Sequence, residues 1–361
     1  MQSSVECRSS NATCSLVAGE TTQVVVMSSS PAVARPLASD GERMILEVVN
    51  YSVICGLLSL FGVVTNVLNM VVFVKIGFQE SMNISLMGLA VSDLLSLVSM
   101  IFISICFNPL FANAPLPFSV DEIMYMVGGP PHVCFARITS LITAFITFER
   151  CLCIAVPLKV KRIITPGRTK AITLFFFILI FSVFSPFYYG NNLVWAFDTA
   201  RNATMFKIVS RDNHVLLETI TFITHGVVIS TFSFVFTIFC TIVLAFKLTS
   251  KTKWRQATAT RGDGSSEGRG LKDKRVVKMV AFISTMFIVC FLPATLLHFV
   301  MALEPNFRFG KTYHNVYMIS WSVSFVTETV NSSFNFFVYL KMSSKFRTVF
   351  LKTFLNLEEK K

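Results

Sequence analysis

The stretch FITFERCLC, residues 145–153, places a glutamate beside an arginine at the end of a long apolar run, and the chain then turns apolar again. Such a pair, Glu149 and Arg150, suits the boundary of a membrane span, where charged side chains can reach water. The apolar run begins near residue 123, and about 20 apolar residues are enough to cross a bilayer as a helix. The stretch therefore predicts a membrane-spanning helix whose end lies close to Glu149 and Arg150.

The composition of the whole chain agrees with a lipid environment. The 361 residues are 53% hydrophobic and only 14% charged, and the mean hydropathy is +0.64. Soluble proteins carry about 25% charged residues, so these charges are too few to cover a surface that faces water. The net charge of +12 does not indicate a nucleic-acid partner, because the basic residues fall in loops between apolar runs. No nucleophile and base are arranged as in an enzyme, and no metal-ligand spacing is present.

Seven apolar runs are each long enough to be a membrane helix. They cover residues 45–74, 83–107, 123–155, 171–190, 215–247, 275–302 and 314–340. After them, Ser343–Leu355 carries phenylalanines at helical spacing with basic residues between, which predicts a helix along the membrane interface. The predicted fold is an all-α membrane protein, a seven-transmembrane helix bundle over residues 44–341. Residues 1–43 are predicted to form an extracellular tail, and residues 342–361 the interfacial helix with a short cytoplasmic tail.

The distribution of lysine and arginine predicts the orientation of the bundle. If the N-terminus is outside, most of the 32 basic residues fall in inner regions, as the positive-inside rule requires. Asn11 and Asn202 each begin an Asn-Ala-Thr glycosylation acceptor, and both lie outside in this topology. We therefore expect a multi-pass plasma-membrane protein with an extracellular N-terminus, a cytoplasmic C-terminus, and glycans on these two asparagines. Cys7 and Cys14, in the polar tail, could pair as a disulfide.

Several short motifs occur in a fixed order along the spans. They are Asn66 in the first, Asp93 ending LAVSD in the second, Glu149-Arg150 in the third, Phe287, Phe291 and Pro293 around FIVCFLP in the sixth, and Asn331, Asn335 and Tyr339 in NSSFNFFVY of the seventh. Together they resemble the rhodopsin-like (class A) G-protein-coupled receptors, over about residues 45–355. The stretch around Glu149-Arg150 resembles an invertebrate, mollusc-type branch of chemosensory or peptide receptors. Phe291 stands where the family usually has tryptophan, and Phe336 where it has proline.

The carboxylate of Asp93 is a functional candidate because a charge in mid-membrane is energetically expensive. The polar residues that could surround it are Asn66, Thr139, Asn331 and Asn335. The resemblance implies that this pocket binds a sodium ion and collapses on activation. The alternative is a satisfied hydrogen-bond cluster that holds no ion. No other cofactor is expected.

The resemblance also implies that Arg150 moves toward a G protein on activation. Adjacency allows Glu149 to neutralise it in an inactive state, and Asp273 could hold it from across the bundle. Phe287, Phe291, Pro293 and Tyr339 complete the predicted switch. Because phenylalanine at 336 cannot kink a helix as proline does, a straighter seventh helix is expected. The alternative for the charge pair is simple anchoring at the interface.

The candidate ligand-binding residues are ionisable side chains in the outer halves of the spans: His132, Arg137, His225, His298 and Glu328. His132 lies 18 residues before Arg150, which is five helical turns, so both face the bundle axis. The resemblance places His132 where amine receptors carry aspartate, so a monoamine ligand is not expected. Glu328 lies two turns before Asn335 on the same inward stripe. For each residue the alternative is a structural hydrogen bond.

The family disulfide at the outer face is missing. The position from which the third span usually forms it is occupied by Tyr125, and residues 191–214 contain no cysteine. This outer loop must therefore be ordered by packing or remain mobile.

Two functions remain open at this point. The favoured one is a G-protein-coupled receptor whose partners are an extracellular ligand (a peptide or a chemosensory small molecule), a heterotrimeric G protein, the lipid bilayer and an arrestin. The other is a transporter that uses Asp93, His132, Arg137 and Glu328 as an ion or proton relay. The odd number of spans and the absence of internal repeats count against the transporter.

Overall fold

Seven long helices dominate the computed structural model, which describes residues 5–7, 14–16, 37–199, 202–257 and 264–357. In chain order they are α1 (Asp40–Ile76), α2 (Ser81–Cys106), α3 (Val120–Ala155), α4 (Pro166–Gly190), α5 (His214–Phe246), α6 (Gly264–Leu303) and α7 (His314–Met342). The helix of α5 continues as far as Ala257. The predicted all-α bundle is confirmed, and the helices overlap the seven predicted spans.

The helices α1 to α6 each include a stretch that is long and apolar enough to cross a membrane. The 29-residue α7 is more polar because its inward face carries buried serine, threonine and asparagine side chains together with Glu328. These residues contact neighbouring helices rather than lipid. Asn50 on α1 donates to the Ser322 hydroxyl (2.8 Å), and Thr327 donates to the Cys290 carbonyl on α6 (2.7 Å). The lower hydropathy of α7 therefore reflects its place inside the bundle.

A close approach joins α1 to α7. Gly62 lies against the side chains of Ser333 and Leu97, and a Cβ at this position would overlap both. Because the glycine leaves that space, Asn66 one turn further on reaches α7 and donates to the Ser332 carbonyl (2.8 Å). The same contact brings the polar face of α7 toward Asp93 on α2.

Three helices contain a π-helical segment in their outer halves. The segments are Val48–Cys55 in α1, Met124–Gly128 in α3 and Phe222–Ile229 in α5. Such segments are rare and frequently occur at functional sites, because the wider turn changes the direction of nearby side chains. His225 lies in the α5 segment, so its direction could not be predicted from a regular helical period.

The N-terminal unit, Met1–Leu37, contains a short antiparallel hairpin. Its strands are β1 (Val5–Cys7) and β2 (Cys14–Leu16), and the register places Cys7 opposite Cys14. The side chains of this unit, and the whole of Asn11, lie outside the described residues. Both the disulfide and the first glycosylation site therefore stay predictions.

The second outer loop is an antiparallel hairpin of β3 (Asn191–Asp198) and β4 (Ala203–Ser210). Its order comes from hydrogen bonds where the family has a disulfide. Glu218 on α5 accepts from the Tyr125 hydroxyl (3.1 Å) and from the Asn191 amide (2.9 Å). Glu122 on α3 accepts from the Ile208 backbone N–H. Of the two expectations for this loop, the structure therefore shows order by packing.

Replacing Glu218 with alanine should loosen this hairpin, because two hydrogen bonds to a carboxylate are lost. We expect a local cost of about 1–3 kcal/mol, and so about tenfold or faster amide exchange across residues 191–210. The measurement is hydrogen exchange followed by mass spectrometry, with Lys311→Ala, an exposed outer-loop change, as the control. Dithiothreitol should leave exchange in the wild-type hairpin unchanged. A hairpin that loosens with reductant but not with Glu218→Ala would contradict this account.

At the inner end, α7 is followed by α8 (Ser344–Phe350), which continues as a π turn over Leu351–Leu355. The Ser343 hydroxyl caps the helix by accepting from the Phe346 N–H (3.3 Å). Phe346 is fully buried, with its ring 5.4 Å from Phe73 and 5.6 Å from Tyr339. The predicted helix over residues 343–355 is present, and it is fixed to the bundle by this aromatic contact.

Candidate functional site

Asp93 lies at the centre of a buried polar cluster between α2, α3 and α7. Its side chain is 0% exposed. Oδ1 accepts from the hydroxyls of Thr139 (2.8 Å) and Ser332 (2.9 Å), and Oδ2 accepts from the Asn335 amide (2.8 Å). Three donors thus replace the water that a carboxylate would otherwise need, which offsets much of the cost of burying it.

Ser332 is a member of this cluster that the sequence reasoning missed. It lies three residues before Asn335, so helical spacing alone places both on one face of α7. Asn331, which the family motif suggested, is buried on the same turn, but the donor to Asp93 comes from Ser332. Asn66 reaches the cluster indirectly, through the Ser332 carbonyl.

The cluster is rich in oxygen atoms. Besides the Asp93 carboxylate it contains the hydroxyls of Thr139 and Ser332. Asn66 and Asn69 extend it, since Asn66 donates to the Ser332 carbonyl and Asn69 donates to Asn66 Oδ1 (3.4 Å). The Asn69 Oδ1 is buried and has no hydrogen-bond partner among the described residues. Carboxylate, hydroxyl and amide oxygens are the ligands that hard cations prefer. These oxygen ligands fit a small cation, and sodium at Asp93 stays a prediction.

About two helical turns before Thr139 and Asn335 of the Asp93 cluster, His132 faces Glu328. The His132 Nε2 lies 3.6 Å from Glu328 Oε2, and both side chains are buried. The other ring nitrogen, Nδ1, lies 3.1 Å from both the hydroxyl and the carbonyl oxygen of Ser96. Donation to that carbonyl orients the ring, which leaves Nε2 toward the carboxylate. The ring of Phe325 covers the imidazole at 4.7 Å.

The other three ligand candidates lie together between α3, α5 and α6. Arg137 Nη1 donates to the Ser230 hydroxyl on α5 (2.6 Å). His225 and His298 are both buried, and Arg137 is close enough to interact electrostatically with each of them. His298 donates from Nδ1 to the Ala294 carbonyl (2.6 Å). The five predicted ligand residues thus form two neighbouring polar groups.

At the inner end of α3 the predicted charge pair closes on itself. Arg150 Nη2 donates to Glu149 Oε1 at 2.8 Å, with side-chain exposures of 17% and 4%. The side chain of Asp273 lies outside the described residues, so its contact with Arg150 stays a prediction. Three residues before Arg150, Thr147 donates to the Thr143 carbonyl (2.7 Å) and its hydroxyl lies 2.6 Å from that of Ser284 on α6. This link between α3 and α6 was missed, because interhelical partners of threonine leave no sequence signal.

Phe287 and Phe291, two further switch residues, form an aromatic cluster with Phe234. It lies between the polar groups around Glu328 and Arg137 and the Glu149–Arg150 pair. The rings of Phe287 and Phe291 lie 4.5 Å apart on α6, and Phe234 on α5 is 6.4 Å from Phe287. The helix of α6 continues through Pro293. Likewise α7 is unbroken past Phe336, whose ring packs on Phe350 of α8 at 5.3 Å.

Tyr339 is buried near the end of α7, with its ring 5.3 Å from Phe73. Its hydroxyl has no hydrogen-bond partner among the described residues. A buried hydroxyl without a partner costs free energy, so the arrangement around Tyr339 is one that another conformation can improve.

Comparison with known proteins connects this geometry to one family. The profile of the "7 transmembrane receptor (rhodopsin family)" matches residues 65–339. The growth hormone secretagogue receptor type 1 of Oryctolagus cuniculus is 28% identical over 312 residues, which are 82% of this chain and 78% of that protein. The same receptor of Homo sapiens is 27% identical over 81% of this chain and 77% of its own length. Galanin receptor 2b of Danio rerio is 23% identical over 90% of this chain and 80% of its own length.

Proposed function

Because the chain belongs to the rhodopsin family of seven-transmembrane receptors, we propose that it is a receptor for an extracellular peptide. The chain is a multi-pass plasma-membrane protein that binds an extracellular ligand and activates a heterotrimeric G protein. It is a receptor and not an enzyme. The family also decides against the transporter alternative.

The peptide assignment is carried by the buried polar layer in the outer half of the bundle. A monoamine receptor would need an anion where His132 stands, and here Glu328 is the nearby acid, with its Oε2 3.6 Å from His132 Nε2. The relatives named above are by name receptors for a growth hormone secretagogue and for galanin, and we infer from this a peptide ligand in preference to a chemosensory small molecule. A peptide offers amide groups and charged ends that suit the two polar groups around Glu328 and Arg137.

Activation is proposed to separate the inner ends of α3 and α6. In this structure the Thr147–Ser284 contact joins them and Glu149 holds Arg150. A ligand that favours the separated arrangement shifts the population toward it, and Arg150 becomes available to the G protein. The same inner face is the proposed site for arrestin. A sodium ion at Asp93 is proposed to stabilise the closed arrangement.

The proposed orientation places the N-terminus and the β3–β4 hairpin outside the cell. Asn202 supports this, because it is exposed in the hairpin turn with a φ of 48° and so is accessible for glycosylation. An Asn202→Gln variant that loses a glycan, seen as a shift in electrophoretic mobility, would agree with this orientation. An unchanged mobility while Asn202 is protected from an external protease would reverse it.

The test of function uses the full chain in lipid vesicles with purified G protein. A panel of peptides and a panel of small odorant-like molecules are compared for their effect on nucleotide exchange. We expect at least one peptide to accelerate exchange tenfold or more, since differential binding of about 1.4 kcal/mol changes a population tenfold. Stimulation by small molecules alone would contradict the peptide assignment. Uptake of solute into the vesicles without nucleotide exchange would instead favour the transporter as the function.

A further inference from the structure

Arg137 is a buried cation that has no carboxylate partner at salt-bridge distance among the described residues. It is 4% exposed, and its one hydrogen bond in the described part of the chain goes to the neutral hydroxyl of Ser230. Its Nε has no partner within that part. The acid that interacts with it at longer range is Glu328, and that carboxylate faces His132.

This arrangement is costly if Arg137 serves only to connect α3 with α5. A buried charge must be paired and hydrogen-bonded to offset the loss of water. A neutral amide such as glutamine could bridge to Ser230 without that cost. The guanidinium leaves several N–H donors for a partner, in a planar arrangement that matches the two oxygens of a carboxylate or phosphate.

The two side chains beside Arg137 are imidazoles, which carry no negative charge to balance it. Because Nδ1 of His298 donates to Ala294, its Nε2 is an acceptor, so the charge that would attract an anion is that of Arg137. His225 has a buried Nε2 without a partner among the described residues, and His298 lies against the neighbouring Gly226. A Cβ on Gly226 would lie 2.6 Å from His298 Cδ2 and 3.0 Å from its Nε2, so glycine is what allows the imidazole to approach α5. Aromatic rings of Phe184 and Phe222 cover the two imidazoles.

We propose that Arg137, Ser230, His225 and His298 form a subsite for an anionic group of the agonist. This inference rests on the proposed receptor function and specifies its ligand, which carries a carboxylate, sulfate or phosphate at the end that enters between α3, α5 and α6. The anion supplies the counter-charge that the fold leaves out, and it takes up the free donors of Arg137. A free anion such as chloride offers the same charge, so the test separates the two sources.

The test is thermal unfolding of the purified full-length receptor in lipid nanodiscs, with sodium benzoate as the probe. Sodium benzoate should raise the unfolding midpoint of the wild type by about 2 °C or more above the value in an equal concentration of sodium chloride, which supplies the same sodium. The neutral counterpart benzamide, added to sodium chloride, should give no such rise. Arg137→Gln should abolish this shift. It should also raise the midpoint of the ligand-free receptor, because it removes a buried charge that lacks a partner.

Two further variants show whether a lost benzoate shift comes from the loss of the anion site or from a failure to fold. Arg137→Lys keeps the charge without the planar donors, and should recover part of the benzoate shift. Lys311→Ala, an exposed change outside both polar groups, should keep the shift in full. An equal benzoate shift in wild type and Arg137→Gln would overturn the proposal, as would a lower ligand-free midpoint in Arg137→Gln. Stabilisation by chloride but not benzoate would assign the site to a free ion. A receptor that activates its G protein yet ignores benzoate contradicts this inference alone.

Discussion

Replacing Asp93 with leucine is expected to prevent most of the protein from reaching the cell surface. The substitution removes the acceptor of Thr139, Ser332 and Asn335. The Thr139 hydroxyl still has Ser92 at 2.9 Å, but the Ser332 hydroxyl and the Asn335 amide lose their buried acceptor. Each unpaired donor costs about 1–3 kcal/mol, and the total reaches the lower end of the stability range of many proteins, about 5–15 kcal/mol. The measurement is surface expression together with the thermal midpoint of the purified receptor.

Asp93→Asn is the matched control, because it keeps one acceptor oxygen and almost the same shape. It should fold, at a cost smaller than that of leucine, and it also separates the two interpretations of the cluster. If sodium binds at Asp93, sodium chloride should raise the wild-type midpoint above the value in choline chloride, and Asp93→Asn should lose that difference. Equal midpoints of the wild type in the two salts would leave a hydrogen-bond cluster without an ion. Normal surface expression of Asp93→Leu would contradict the structural account.

The Asp93 cluster shows what helical spacing can predict. Thr139 was found because residues on one helix face can be read from the period of 3.6, and Asn335 came from the motif that carries the family resemblance. The choice between Asn331 and Ser332 depends on the rotation of α7 by one residue, about 100°, and that rotation is fixed by contacts such as the close approach at Gly62. The sequence names the helix and the turn, and packing between helices decides which side chain donates.

The outer half of the bundle shows a second limit to what the sequence can predict. The absence of a cysteine between residues 191 and 214 was visible in the sequence, but its replacement was not. Glu218 and Tyr125 are 93 residues apart in the chain, and both look like ordinary helix-end residues. Likewise the sequence identified Arg137 as unusual without indicating Ser230 as its partner. Long-range partners of single polar side chains have no periodic pattern, so they emerge only from the fold.

The polar groups also explain why α7 need not be kinked by proline. It contacts α1 through Ser322, α6 through Thr327, and α2 through Ser332. A helix held at so many levels moves as a rigid unit more readily than it bends. Phe336 adds to this by packing on Phe350 of α8. We therefore expect motion at the inner face to come from α6 relative to α3, with α7 changing little.

Arg150→Ala is expected to abolish nucleotide exchange on the G protein, while Glu149→Gln is expected to increase it in the absence of ligand. In the structure the Arg150 guanidinium is bound by Glu149 at 2.8 Å. Glutamine removes the charge from that contact, and a hydrogen bond to a charged group contributes about 1.5–3 kcal/mol. Because 1.4 kcal/mol is a factor of ten, basal exchange should rise about tenfold. The measurement is exchange on purified G protein, normalised to the number of folded receptors.

The opposite signs of these two variants separate a switch from simple interfacial anchoring. If Arg150 only anchors α3, removing either partner should lower stability and leave exchange per folded receptor unchanged. Arg150→Ala also leaves the Glu149 carboxylate, which is 4% exposed, without its partner. Arg150→Lys is therefore needed, because it keeps the charge while removing the planar donors. Lys170→Ala, an exposed cation at the inner end of α4, should be neutral. Ser284→Ala removes the Thr147–Ser284 link between α3 and α6, so it should raise basal exchange like Glu149→Gln. A fall in exchange for both Glu149→Gln and Ser284→Ala would mean that these contacts hold the active arrangement instead.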